Sequence, residues 1–406
     1  MRLLHCFTAV LLAWFFISSC NAQNYKSDIT GLDITPDDIK VGAERTDIYY
    51  PWIKDKNIAV VANHTSMIKK LHLVDSLLQA GFHVKKVFCP EHGFRGEAEA
   101  GETVATSTDK KTALPIVSLY GKNKKPKASD LKGIDIVIFD IQDVGARFYT
   151  YISTLHYVME ACAENNKLLI VLDRPNPNGY YIDGPVLEME YSSFIGMHPV
   201  PIVHGMTIAE YAGMINGEKW LKNGIQCQLK YVQVYNYNHT YFYSLPIKPS
   251  PNLASMEAIY LYPTFCLFEG TCVSVGRGTD RPFEIIGHPK IDSTGFTFVP
   301  KSIPGMSKNP PYEGVLCHGY DFRMYSANFI KGYGRLYLFP LLELYKQMKD
   351  KTEFFNTAFD KLAGNSKLRQ QIISGTSEDD IRKSWKPGLD NFKKIRKKYL
   401  LYSDFD

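Results

Sequence analysis

Ile134-Asp135-Ile136-Val137-Ile138-Phe139 is the segment that decides the fold. This almost continuously apolar run is typical of a strand that is buried on both faces of a parallel sheet. Similar runs lie before and after it, and segments with helical spacing separate them. Strands are predicted at 57–62, 84–89, 116–119, 134–139, 167–172 and 227–234, and helices at 68–80, 149–164 and from the capping box Thr207-x-x-Glu210 to Gly217. This alternation predicts an α/β fold with a Rossmann-like, doubly wound, mostly parallel sheet.

The pattern becomes less regular in the last part of the chain. The aromatic, Asn-rich stretch 235–245 has the composition of a domain junction. Beyond it, helices are predicted at 336–349, 352–363, 366–374 and 388–399. We therefore expect a Rossmann-like domain over residues 31–240 and a second, α+β domain over residues 241–406.

The N-terminus indicates export. Arg2 precedes an apolar stretch from Phe7 to Ile17, which is typical of a signal peptide over residues 1–19. Ile17-Ser18-Ser19-Cys20 resembles a bacterial lipobox, so we expect lipidation of Cys20 and a tether over residues 20–30. A competing cleavage after Ala22 would give plain secretion. The expected location is the periplasm, with a lipid anchor in a bacterial membrane.

Charge and cysteine spacing exclude several classes of protein. The formal net charge is only +5 over 406 residues, and the basic run at 393–398 is interpreted as a solvated helix face, so no nucleic-acid partner is expected. No C-x-x-C pair occurs, which argues against a zinc knuckle. Cys266 and Cys272 could form a disulfide in an oxidising compartment. The sequence indicates no oligomeric state.

Polar side chains follow four of the predicted strands. In open parallel sheets, ligands bind outside the carboxyl ends of the strands. Any one of these residues could instead cap a helix or form a turn, but four such ends together predict a polar cleft. The residues are Asn63, His64, Thr65 and Ser66; Pro90, Glu91, His92 and Gly93; Asp140, Gln142, Asp143 and Arg147; and Asp173, Arg174, Pro175 and Asn176.

The first strand end excludes the usual ligand of this fold. Dinucleotide-binding domains need G-x-G-x-x-G at that point, whereas this chain has Asn-His-Thr-Ser-Met at 63–67. The chain also contains no Walker A sequence and no G-x-S-x-G elbow. We therefore expect a Rossmann-like domain without a nucleotide cofactor.

Two chemistries fit the residue types. A glycosidase needs a carboxylic acid to protonate the leaving oxygen and usually a second carboxylate; the candidates are Glu91, Glu269, Glu284, Asp143 and Asp140. A metallohydrolase could use His64, His92, Asp140 and Asp173 as ligands, although no H-E-x-x-H spacing supports it. Glycines flank Glu269 and Arg277, where they permit tight turns or close approach of a ligand.

Several motifs resemble the bacterial exo-β-N-acetylmuramidases, a family long described as a domain of unknown function. They are Pro90–Gly96, Asp140–Tyr151, Asp173–Pro177, Pro251-Asn252, Phe268–Thr271 and Gly276–Thr279, and they extend over nearly the whole mature chain. The resemblance implies a smaller C-terminal domain, an active-site cleft between the domains, and release of N-acetylmuramic acid from the non-reducing ends of peptidoglycan fragments. It implies Glu91 as a catalytic residue and Glu269 as the second. No metal or cofactor is expected.

The expected substrate contacts come from both halves of the chain. They are Asn63, His92, Gln142, Asp143, Arg147, Tyr149, Asn176, Asn252, Arg277, Thr279 and Glu284. Arg147 and Arg277 are the candidates for gripping the lactyl carboxylate of muramic acid, because a guanidinium fork matches a carboxylate. Two alternatives stay open: a metal-dependent hydrolase of cell-wall peptides or acetyl groups, and a non-catalytic glycan-binding lipoprotein.

Overall fold

A seven-stranded sheet forms the centre of the fold. The computed structural model describes residues 38–91, 93–95, 107–292, 294–323, 325 and 327–405, with only the backbone of Asn328 and Phe329. The strands are β1 Asn57–Ala62, β2 Met67–Ile68, β3 Leu71–His72, β4 His83–Cys89, β5 Ser107–Thr108, β6 Pro115–Ser118, β7 Ile136–Asp140, β8 Leu168–Leu172, β9 Gln228–Val232, β10 Ile285–His288, β11 Phe296–Phe298 and β12 Cys317–Asp321. The helices are α1 Thr46–Ile53, α2 Leu73–Gln79, α3 Tyr151–Glu164, α4 Ile208–Gly217, α5 Met256–Phe265, α6 Ala327–Tyr333, α7 Phe339–Gln347, α8 Phe359–Ala363, α9 Lys367–Ile373 and α10 Glu378–Arg396.

The large sheet is parallel except at one edge. Its strand order is β5-β6-β4-β1-β7-β8-β9, and only the β5–β6 pair is antiparallel. Alternate side chains of each central strand enter two different cores: Val60 packs with helices α1 and α2, whereas Val61 packs with α3 and α4. Both faces are therefore covered by helices, which explains why these strands are apolar throughout. The predicted fold class is confirmed.

Most predicted elements of the first half begin and end within two residues of the observed ones. The predicted helix at 68–80 is wrong in its first turn. Residues 67–72 instead form the antiparallel ribbon β2–β3. Lys69 adopts φ 53°, a left-handed backbone that a helix cannot contain. Helix α2 begins only at Leu73, and the His72 side chain caps it by accepting a hydrogen bond from the Val74 N–H.

The second half combines a three-stranded antiparallel sheet, β10-β12-β11, with helices α5 to α10. The predicted helix at 352–363 is wrong except for its last turn, α8. The helix predicted at 388–399 begins ten residues earlier, at Glu378, and continues through Pro387. Ser377 provides its start by accepting a hydrogen bond from the Asp380 N–H. No helix in the described part of the chain is long and apolar enough to cross a membrane.

The C-terminal segment returns to the large sheet. The Tyr402 hydroxyl donates to Asp173, directly after β8, at 2.6 Å. The backbone N–H of Leu401 donates to the carboxylate of Glu210 in helix α4. The Arg396 guanidinium binds the carbonyl of Gly205. The domain boundary at residues 240/241 stays a prediction.

A buried guanidinium joins distant parts of the chain. The Arg147 side chain is fully buried, and its terminal nitrogens donate to the carbonyl oxygens of Pro185, Val200, Leu362 and Ala363 at 2.7 to 2.9 Å. Two of these carbonyls end helix α8, where a cation is favourable. Gly364 follows with φ +85°, and a Cβ there would lie 2.6 Å from an Arg147 nitrogen.

We expect Gly364→Ala to destabilise the fold by more than left-handed strain alone. The strain costs about 1–2 kcal/mol, and the clash with Arg147 adds about 1–3 kcal/mol of overpacking. Gly375→Ala is the matched control, because Gly375 has φ +71° and open space around its Cβ position. Chemical denaturation of both variants gives the free energies of unfolding. Equal losses in the two variants would contradict the proposed contact.

Candidate active site

A pocket of about 220 Å³ lies at the carboxyl edge of the large sheet. The residues after β4, β6 and β7 form one side, and residues from 250 onward form the other. The lining residues are Glu91, Tyr120, Phe148, Tyr149, Thr150, Tyr151, Phe194, Ile195, Ser250, Asn252, Leu253, Tyr262, Cys266, Glu269, Arg277, Phe283 and Leu362. The volume is below the about 300–1,000 Å³ of pockets that enclose drug-sized ligands. It suits one end of a larger molecule.

Glu91 enters the pocket from the end of strand β4. This strand is buried towards its end, and the Leu119 N–H donates to the Cys89 carbonyl, which fixes the neighbouring strand end beside it. The Thr150 hydroxyl donates to Glu91 Oε2 at 3.4 Å. Tyr120 lines the same pocket, and burial together with the charge of Glu91 raises its pKa. Side chains from two further segments therefore lie beside Glu91.

Glu269 enters from the other side, on a short turn that follows helix α5. Arg277 Nε donates to its Oε1 at 2.6 Å, and the Cys266 thiol donates to its Oε2 at 3.6 Å. Burial alone would lower the pKa of Arg277, but the adjacent carboxylate outweighs this effect and raises it. The guanidinium of Arg277 therefore compensates the negative charge of Glu269 inside the pocket.

The loop that carries Arg277 depends on its two glycines. Gly276 and Gly278 have φ of +76° and +81°. A Cβ at Gly276 would lie 2.9 Å from the Arg281 carbonyl, and one at Gly278 would lie 2.7 Å from the Lys301 carbonyl. These close approaches explain the glycines that flank the arginine.

The structure brings five of the predicted site residues into this pocket: Glu91, Tyr149, Asn252, Glu269 and Arg277. Tyr149 is oriented by donating its hydroxyl to the Pro249 carbonyl at 2.9 Å. Asn252 donates to the Met306 carbonyl at 3.0 Å. His92 lies outside the described residues.

The other predicted contacts lie behind the pocket wall and bind protein groups. Asn63 donates to the hydroxyl of Tyr151, which itself lines the pocket. Gln142 and Asn176 donate to backbone carbonyl groups, and Asp143 accepts from the backbone N–H of Gly145. The Thr279 hydroxyl donates to the Gly276 carbonyl, and Glu284 accepts a hydrogen bond from the Ser255 hydroxyl. The carbonyl contacts of Arg147 also place it outside the pocket. The structure does not bring any of these side chains to the cavity.

Asp143 shows that a shifted pKa does not by itself mark the site. Burial raises the pKa of Asp143 to about 7 and lowers that of His204 to about 3. The two side chains are 3.8 Å apart and almost fully buried. They form an internal polar pair that does not line the pocket.

The described residues that were considered as metal ligands each bind a different protein group. Asp140 pairs with Arg174 at 2.6 Å, and Asp173 accepts from Tyr402. His64 hydrogen-bonds to the Lys248 carbonyl. Within the described ranges, no three His, Cys, Asp or Glu side chains are grouped so as to hold a metal ion. Cys266 and Cys272 are free thiols.

Tyr120, Thr150 and Tyr151 line the pocket but were not predicted as parts of the site. Tyr120 directly follows the predicted strand at 116–119, so the end of that strand was an available signal. Thr150 and Tyr151 were visible only within the longer motif Asp140–Tyr151. Phe194 carried no signal, because it belongs to an irregular segment far along the chain.

Two glutamates in one tyrosine-lined pocket, one of them paired with an arginine, fit the pair of carboxyl groups that a glycoside hydrolase uses. The comparisons with known proteins agree. The family models of the exo-beta-N-acetylmuramidase NamZ N-terminal and C-terminal regions match residues 58–257 and 260–402. The chain belongs to the exo-β-N-acetylmuramidase NamZ family. The predicted family and glycosidase activity are thereby confirmed.

Individual relatives support this assignment. The chain is 41% identical over 375 residues to the peptidoglycan beta-N-acetylmuramidase NamZ of Bacillus subtilis (strain 168), which covers 87% of this chain and 89% of that protein. Two crystal structures of DUF1343 family proteins from Bacteroides fragilis NCTC 9343 are similar. One has 46% identity and a TM-score of 0.85, the other 29% and 0.71, and each match covers 90% of this chain and 99% of the other.

Proposed function

We propose that the pocket removes single N-acetylmuramic acid residues from the non-reducing ends of peptidoglycan glycan fragments. The observation that carries this proposal is that Glu91 and Glu269 line one cavity of about 220 Å³ in a chain of this family. The relative from Bacillus subtilis is named for this substrate. A cavity of this size suits a terminal sugar rather than an internal one.

The two glutamates suit different roles. Glu91, which accepts a hydrogen bond from the Thr150 hydroxyl, protonates the leaving glycosidic oxygen. Glu269, whose charge is compensated by Arg277, serves as the second carboxylate, either for attack on the sugar or for activation of water. The buried rings of Phe148 and Phe283 line the cavity, so the sugar ring binds away from bulk water.

The direct test is incubation with a disaccharide of N-acetylmuramic acid β-linked to N-acetylglucosamine. We expect the two free sugars as products by chromatography. Glu91→Gln keeps the shape of the side chain but supplies no proton, so kcat should fall at least about a hundredfold. The exposed Glu353→Gln is the matched control and should keep its activity. Near-normal turnover by a folded Glu91→Gln enzyme would remove Glu91 from the mechanism.

Arg277 is the proposed partner of the lactyl carboxylate. It lines the cavity and uses only its Nε for Glu269, which leaves its two terminal nitrogens as further donors. A muramidase must hold a negative charge that a glucosaminidase never meets. The planar fork of arginine suits this task.

For Arg277→Ala we expect losses of different size on two substrates. Activity falls on both muramic acid and glucosamine glycosides, because Glu269 loses its partner. The muramic acid glycoside should lose a further factor of about ten to a hundred in kcat/KM, since hydrogen bonds to charged groups contribute about 1.5–3 kcal/mol. Equal losses on both substrates would show that Arg277 does not bind the lactyl group.

We also propose that a lipid on Cys20 anchors the protein to a bacterial membrane in the periplasm. The support is the Ile17-Ser18-Ser19-Cys20 sequence, which lies outside the described residues. Cys20→Ser should move the protein from the membrane fraction to the soluble fraction and abolish labelling by radioactive palmitate. Cys272→Ser is the control. An unchanged membrane fraction for Cys20→Ser would reject the anchor.

A further inference from the structure

Residues 193–196 form a tight turn whose tip lies at the pocket. The backbones of Ser193 and Gly196 donate to each other's carbonyl oxygens, at 2.9 and 3.0 Å. The two residues between them, Phe194 and Ile195, both line the cavity and are half-buried. Backbone hydrogen bonds therefore hold two partly exposed apolar side chains at the edge of a cavity that contains two carboxyl groups.

The turn is anchored on the Glu91 side of the cavity. The Ser153 hydroxyl of helix α3 donates to the carbonyl of Phe194 at 2.7 Å. Thr150, which directly precedes the same helix, donates its hydroxyl to Glu91 at 3.4 Å. The start of one helix thus contacts both the tip of the turn and the carboxyl group, which fixes Phe194 close to Glu91.

The surroundings of Phe194 combine an apolar ring with polar groups. Tyr157 of helix α3 stacks on the ring, with 6.3 Å between the centroids. Lys124 Nζ lies 4.5 Å from the ring centroid, and the Tyr120 ring lies 6.5 Å away. A sugar presents both apolar C–H groups and hydroxyl groups. An aromatic ring next to an ammonium donor and a phenol therefore has the chemistry to bind one.

Exposure separates the inner end of the cavity from its mouth. Phe148, Tyr151 and Phe283 are at most 3% exposed and form the inner end. Tyr120 and Phe194 are half-buried and lie at the mouth. When the terminal sugar of a glycan occupies the inner end, the rest of the glycan must leave through the mouth.

We propose that Phe194, together with Ile195 and Lys124, forms the subsite for the leaving sugar, an N-acetylhexosamine. This inference rests on the proposed function, with Glu91 as the general acid. The leaving sugar carries the oxygen that Glu91 protonates, so it must lie at the mouth on the Glu91 side. Its C–H groups contact Phe194 and Ile195, and its hydroxyl or acetamido oxygens accept hydrogen bonds from Lys124. These residues determine specificity and do not take part in bond cleavage.

The test uses two ligands that share the terminal muramic acid. The first is the disaccharide with N-acetylglucosamine, whose kcat/KM depends on both ends of the cavity. The second is the methyl β-glycoside of N-acetylmuramic acid, which has no second sugar. Its inhibition constant against the disaccharide reports binding at the inner end, whether or not the methyl glycoside is cleaved.

Phe194→Ala should lower kcat/KM for the disaccharide by about ten- to a hundredfold, since the contact with a buried aromatic side chain is lost. The inhibition constant of the methyl glycoside should change by less than about twofold. Phe194→Tyr keeps the ring and should retain most of the activity on the disaccharide. Phe339→Ala is the control, because this phenylalanine is 55% exposed and does not line the cavity.

Lys124→Met keeps the apolar stem beside the ring and removes the charge. It should lower kcat/KM for the disaccharide by about two- to fivefold, as expected for a half-exposed charged contact, and leave the inhibition constant unchanged. Lys230→Met is the matched control. Lys230 Nζ lies 4.6 Å from the ring centroid of Trp52, so it makes the same kind of contact, but neither residue lines the cavity.

Three results bear against the inference. Unchanged disaccharide activity in Phe194→Ala rejects the subsite. An inhibition constant that weakens as much as kcat/KM falls shows that the ring supports only the inner end. A loss in Phe194→Ala without one in Lys124→Met keeps the ring and rejects the ammonium. If Phe194→Ala does not fold, the result for Lys124→Met decides. The proposed function fails separately, if the wild type releases no muramic acid from the disaccharide.

Discussion

The buried guanidinium of Arg147 is the constraint on which the pocket depends. An unpaired buried charge is costly, so the side chain must be surrounded by acceptors. Its four carbonyl partners come from chain segments near residues 185, 200 and 362. Even so, burial lowers the pKa of Arg147 to about 9. Because Leu362 also lines the cavity, this contact positions the α8 side of the pocket against the loop after β7.

The pocket assembles two carboxylates in unlike surroundings. Glu91 follows strand β4 at the carboxyl edge of the parallel sheet, whereas Glu269 comes from a turn after α5. The Thr150 hydroxyl contacts the first, and a guanidinium accompanies the second. This difference in surroundings is the structural basis on which we propose different roles for the two carboxyl groups.

The sheet could be predicted from sequence because strands that are buried on both faces leave a short, continuous apolar signature. The ribbon at 67–72 could not be predicted, since its apolar spacing also fits a helix. The antiparallel pairing and the left-handed backbone at Lys69 are seen only in the structure. In the same way, strand ends and glycines pointed to Glu91, Glu269 and Arg277.

Sequence could not separate polar residues that face the cavity from those that bind backbone. Gln142 and Asn176 have the residue types of ligand contacts, yet their amides bind backbone carbonyls. Both roles use the same side chains at the same strand ends, so only the orientation of the side chain distinguishes them. Tyr120 was not predicted as a site residue because a tyrosine at a strand end can belong to the core as well as to a ligand pocket.

The return of the C-terminal segment to the sheet bears on the order in which the protein is made. Asp173 and Glu210 are buried and belong to the first half, yet they receive donors from Tyr402 and Leu401. These donors lie 229 and 191 residues further along the chain than the carboxyl groups they bind. Until that segment has been synthesised, the two carboxyl groups are without part of their hydrogen bonding, so these polar contacts of the first half form only after the second half has been made.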